Sequence, residues 1–143
     1  MTLDEFHQLA DSIAEELPTE LFHRLTGGIS ISPSTKYHAN SNPVMPLNIL
    51  GEYHCGSTGR YIMLYYGSFM RVYGHIDMEA ARGYLRDVIL HEFRHHLESL
   101  AGERGLEVED AIRHEQYKQS LKAIAQAEDY PQTVHYTGGT ELK

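Results

Sequence analysis

The stretch from Asp77 to Gly102 carries one unbroken helical pattern, and near its C-terminal end stands the pentapeptide His91-Glu92-Phe93-Arg94-His95. Ala80, Ala81, Tyr84, Leu85, Val88, Ile89, Phe93, Leu97 and Leu100 recur at helical intervals, with Asp77 placed to cap the first turn and Gly102 to end the last. So wide an apolar stripe predicts a helix buried on most sides. The rest of the chain must then supply the layers that cover it.

Those layers read as follows. Thr2 and Glu5 have the spacing of a capping box, and Leu3, Phe6, Leu9, Ala10, Ile13, Ala14 and Leu17 repeat at helical spacing, which predicts a first helix from Thr2 to Leu17. Pro18 can open a short turn that runs to Leu25 before Gly27-Gly28. Ile29 and Ile31 alternate with serines as a short strand, and Ser32 to Pro46, rich in Ser, Asn and Pro, reads as loop. Leu47 to Cys55 and Tyr61 to Tyr66 form a hairpin around a turn of four or more residues, Gly56-Ser57-Thr58-Gly59, and Phe69 to Tyr73 reads as a further strand. Tyr61, Tyr65, Tyr66 and Tyr73 are accordingly sheet residues. A last helix is expected from Val108 to Ala127. The class is α+β, a small mixed or antiparallel sheet packed against the central helix and flanking helices, as one domain over 1–128 with an irregular tail over 129–143.

Charge narrows the function. With 20 acidic against 12 basic side chains the formal net charge is −8, which attracts neither phosphate backbones nor anionic membranes, so nucleic acid and membrane are not expected partners. No apolar run approaches the length of a membrane span. The single cysteine, Cys55, allows no internal disulfide, and Met1 to Phe6 lacks the basic start and apolar run of a signal peptide, so a cytoplasmic location is expected. The sequence gives no reading of the oligomeric state.

The pentapeptide has the form H-E-x-x-H. In a helix, positions i and i+4 lie about 40° apart on one face, so His91 and His95 can reach a common point, the spacing two ligands of a tetrahedral zinc ion need. Glu92 projects about 100° away from His91, beside the metal, where it can act as general base on a zinc-activated water. Composition alone would produce such a pentapeptide about 0.07 times in a chain like this, so its helical setting carries the argument. His96 falls on the core side and reads as a buried, hydrogen-bonded histidine, while Arg94 solvates the exposed side. His54 and Cys55, adjacent in a strand, point to opposite faces and do not form a thiol–imidazole pair. Any of the four tyrosines, His75 or His114 could approach an oxyanion; the sequence does not choose among them.

Gly51-Glu52-Tyr53, Gly59-Arg60-Tyr61, the strand from Ile62 to Tyr66 and the segment from His91 to Asp110 resemble the small bacterial proteins described as zincin-like, a possible metallopeptidase family. The likeness spans Phe6 to Asp110. It implies a minimal zincin-like fold, a zinc ion on His91 and His95, and a peptide or protein substrate laid as a strand along the sheet edge above the helix. Relatives commonly read H-E-x-x-H-x-x-G-x-x-D, with the aspartate as third ligand; here Glu98 and Ala101 occupy the glycine and aspartate positions. Glu98 shares the face of the two histidines but stands about 7 to 8 Å of helix rise from the midpoint between them, so it is expected to orient a ligand or simply to be solvated. The chain turns at Gly102, and the third ligand is sought past Glu103, at Glu107 or Asp110. Alternatively, Glu107, Glu109 and Asp110 only favour the positive start of the last helix. The function expected is zinc-dependent peptide hydrolysis; the alternative is a metal-stabilised binding module without turnover, with four protein ligands on the metal.

Overall fold

The computed structural model describes residues 1–102 and, as backbone only, the short strand segments 136–137 and 140–141. Thr2 and Glu5 form the reciprocal cap: the Thr2 hydroxyl accepts from the Glu5 amide at 3.1 Å and the Glu5 carboxylate from the Thr2 amide at 2.8 Å. Such a cap contributes about 1 kcal/mol. It starts helix α1 (Leu3–Glu16), whose Phe6, Leu9, Ala10 and Ile13 are buried. A single 3-10 turn follows at Thr19–Phe22, and strand β1 runs over Ile29–Ser32.

Strands β2 (Ile49–Gly56) and β3 (Gly59–Tyr65) form the antiparallel hairpin. Gly56 and Gly59 are the last paired residues, so the connection is Ser57-Thr58 alone, two residues shorter than the sequence suggested. Gly59, at φ 117°, has a backbone conformation closed to most side chains, which lets the turn close so tightly. β1 joins β3 in parallel, which makes the sheet mixed. Within the C-terminal stretch read as irregular, β4 (Tyr136–Thr137) and β5 (Thr140–Glu141) pair in parallel with the other edge of β2.

The segment expected as a strand over Phe69 to Tyr73 is instead helix α2 (Tyr66–Tyr73), and Tyr66 and Tyr73 are helical rather than sheet residues. Tyr66, Phe69 and Tyr73 stand at helical intervals, and packing all three against the core, Phe69 and Tyr73 buried and Tyr66 partly so, decides against the strand that their aromatic character favours. Phe6 of α1 packs on both Tyr66 and Phe69, with ring centroids 5.3 and 5.4 Å apart.

Helix α3 (Met78–Ala101) is capped by Asp77, whose carboxylate accepts from the Ala80 amide at 2.8 Å, and it ends at Gly102. Leu85, Val88, Ile89, Phe93 and Leu97 bury one side of it in a single core with Leu50, Tyr53, Ile62 and Leu64 of the hairpin and Phe6 and Ile13 of α1. Arg82 ties α3 back to α1 through Ser12 and Glu16. The architecture is α+β, a mixed sheet packed on the motif helix, as the sequence indicated. No helix among the described residues is long and apolar enough to cross a membrane. The expected last helix over Val108 to Ala127 lies outside the described residues.

Candidate metal centre

The middle of α3 passes beneath β2, and the contact is set by Gly51. A β-carbon at that position would stand 3.0 Å from Val88 Cγ1, 3.3 Å from Glu92 Cγ and 3.4 Å from Glu92 Oε2. The missing side chain lets the strand backbone lie directly on the Glu92 carboxyl. Gly51→Ala is therefore expected to force strand and helix apart at a cost of about 1–3 kcal/mol, read as a lowered denaturant midpoint with little change in slope.

Glu92 is fully buried, and neither carboxyl oxygen has a hydrogen-bond partner among the described residues. Burial, reinforced by the nearby Glu52 charge, pushes its pKa well above the usual carboxylate range. His91 and His95 lie on the same helix with ring centroids 5.0 Å apart and planes inclined at 80°. Burial, with the charges of His95 and Arg94, lowers the His91 pKa to about 4, so its imidazole is neutral at pH 7, the form that binds a metal. Two imidazoles bound to one tetrahedral zinc ion, with Zn–N near 2.1 Å, bring their ring centres to about 5 Å. The observed pair fits that requirement.

Glu98 Oε1 lies 3.5 Å from Nδ1 of His95. Glu98 thus stands beside the His95 ring, where a carboxylate can orient an imidazole. Among the described residues no cluster of three or more His, Cys, Asp or Glu able to hold a metal assembles. Glu103, Glu107, Glu109, Asp110 and His114 lie outside the described residues.

Around this pair the structure adds a polar group that sequence reading missed. Glu52, one residue along β2 from Gly51, is buried yet fully satisfied: Lys36 Nζ at 2.7 Å, the Tyr65 hydroxyl at 2.7 Å and His54 Nε2 at 3.0 Å all reach its carboxylate. Burial alone would raise its pKa, but these partners, Lys36 foremost, more than offset that and hold it below the usual range. Tyr65, used as a donor here, is pushed up to about 12 by burial and by Glu52. Two neighbouring carboxyls thus have their pKa values driven apart, Glu52 ionised and Glu92 favouring its proton. The alternation of β2 could have placed Glu52 opposite the helix face, but nothing local indicates that Lys36, from the preceding loop, would meet it.

His96 is buried as expected. Its Nε2 donates to the His23 carbonyl and its Nδ1 accepts from the Tyr53 hydroxyl, both at 2.8 Å. Arg60 in turn donates to the hydroxyls of Tyr53 and Ser99, and the Ser99 hydroxyl reaches Cys55 Sγ at 3.5 Å. His54 and Cys55 belong to separate groups, the first to Glu52 and the second to Ser99, so no thiol–imidazole pair forms. The Tyr66 hydroxyl donates to the Met1 carbonyl, and His75 is exposed.

Burial lowers the His96 pKa to about 4. Because this folded value lies below the unfolded one of about 6.5, the neutral ring's contribution is intact above pH 6.5 and is lost as pH falls toward 4. Stability is expected to drop by about 3 kcal/mol over that window from this group, and His96→Gln to flatten the pH dependence of urea unfolding between those limits.

No protein-family model matches the chain, and none of the curated proteins is similar to it. Among solved structures, a conserved hypothetical protein from Thermus thermophilus is 37% identical, with a TM-score of 0.59, over 71% of this chain and 98% of the other. A shared α+β sheet-and-helix architecture underlies that match. The chain belongs to the same protein family as this Thermus thermophilus protein.

Proposed function

We propose that the protein is a zinc-dependent hydrolase of peptide bonds, with a zincin-like arrangement in which His91 and His95 hold the ion and Glu92 is the general base. The observation that carries this reading is the orphaned, buried carboxyl of Glu92 on the same helix as two imidazoles spaced for one metal. A structural site has no use for an unliganded carboxyl there, whereas a hydrolytic one requires it. We assign the third ligand to Glu107 or Asp110, and to Glu98 the task of fixing the His95 ring. When bound, the zinc ion polarises the scissile carbonyl and acidifies the attacking water.

Glu92 takes the proton of that water and delivers it to the leaving amine. Its apolar surroundings and the ionised Glu52 across the strand make it a stronger base than a solvated glutamate. Gly51 keeps the strand flush against it and excludes bulk water from the carboxyl. The substrate is a peptide or unfolded protein segment, and neither nucleic acid nor membrane is a partner. The free Cys55 fits the reducing conditions of the cytoplasm.

The zinc-loaded chain, incubated with a mixed peptide library, should generate new termini detectable by mass spectrometry, which vanish on chelation and return with zinc. A library left intact by the zinc-loaded protein contradicts the reading. Alanine at Glu98 should weaken zinc binding about 10-fold or more. Among Glu98, Glu103, Glu107 and Asp110, the largest loss is expected at Glu107 or Asp110; dominance of Glu98 or Glu103 would overturn the assignment of the third ligand.

A further inference from the structure

β2 has two edges. One pairs with β3 through Gly51 to Gly56, and the other runs past Gly51, where the backbone lies on the Glu92 carboxyl. That second edge is taken by the chain's own C-terminal segment: Tyr136 stands opposite Ile49, Thr137 opposite Gly51, Thr140 opposite His54 and Glu141 opposite Cys55. The four pairs keep nearly one register offset along β2. The register position of Thr137 is the one that faces the residue lying on Glu92.

We propose that the outer edge of β2 is a docking surface for an extended peptide strand, held in this protein by its own β4 and β5, so that tail and substrate exclude one another. An unpaired strand edge binds any extended chain through its regularly spaced amides and carbonyls, and two strands cannot use one edge at once. The tail is tethered, which gives it an effective concentration in the millimolar range against which a free peptide must compete. The consequence for turnover rests on the hydrolase reading above; the docking itself does not.

The test uses the full-length chain. Thr137 and Thr140 stand at odd and even positions of the tail, so proline at both removes at least one amide directed at β2 and disturbs the remainder. A fluorescent peptide of the sequence 133–143 is titrated into wild type and into the Thr137→Pro/Thr140→Pro variant. The variant is expected to bind it at least about tenfold more tightly. Equal affinities overturn the proposal. Hydrogen exchange on the wild type gives an answer independent of the variant's folding: the β2 amides that do not pair with β3 should be protected, and exchange as fast as in an open strand overturns it. If the affinity gap is found while neither protein cleaves any peptide, the docking surface stands and only the hydrolytic reading falls.

Discussion

Purified His91→Ala and His95→Ala are each expected to retain less than stoichiometric zinc after dialysis, where wild type is expected to retain one ion per chain. On the proposed ligand set, either substitution leaves one motif imidazole and one carboxylate, too few to hold the ion against water. The folds should survive, because both rings are only partly buried and sit outside the apolar core formed by Val88, Ile89, Phe93 and Leu97. Metal analysis together with far-ultraviolet circular dichroism separates loss of the site from loss of structure. One zinc per chain in both variants would place the metal elsewhere.

Glu92→Gln is expected to keep zinc and fold while hydrolysis drops by about 10²–10⁴-fold, the usual contribution of a positioned general base. The amide preserves the shape of the side chain but cannot accept a proton. The same substitution should raise the stability of the metal-free chain at pH 7. The folded pKa of Glu92 is raised above the unfolded value, so the contribution of this group is intact below the unfolded pKa and is lost as pH rises through the folded one. Glutamine does not ionise and removes that penalty. A variant as active as wild type would refute the role of Glu92, and a less stable metal-free variant would refute the upward shift of its pKa.

The helices were legible where local chemistry and burial agree. Thr2 with Glu5 and Asp77 with Ala80 announce their own caps, and the stripe from Ala81 to Leu100 could only be a buried helix. Strands β1, β2 and β3 followed from alternation. What stayed hidden depended on distant partners. Phe69 to Tyr73 is aromatic enough to read as a strand, and packing against distant core residues, Phe6 of α1 among them, selects a helical face instead. The Ser57-Thr58 turn is shorter than its flanking glycines suggest because both glycines are paired. At the site, the placement of the two histidines and Glu92 on one helix is spelled out by spacing. Glu52 is not, because its partners Lys36 and Tyr65 come from separate segments, and the pairing of Tyr136 to Glu141 with β2 joins residues far apart in the chain.

The proposed hydrolase requires zinc held by His91 and His95 with a position left open for substrate. Zinc-edge X-ray absorption of the loaded protein at neutral pH tests this directly. The spectrum should show only nitrogen and oxygen neighbours near 2.0–2.1 Å, with outer scattering from two imidazoles and one oxygen neighbour displaced by a hydroxamate. A sulfur neighbour, fewer than two imidazoles, or a coordination sphere that the hydroxamate leaves unchanged would contradict it.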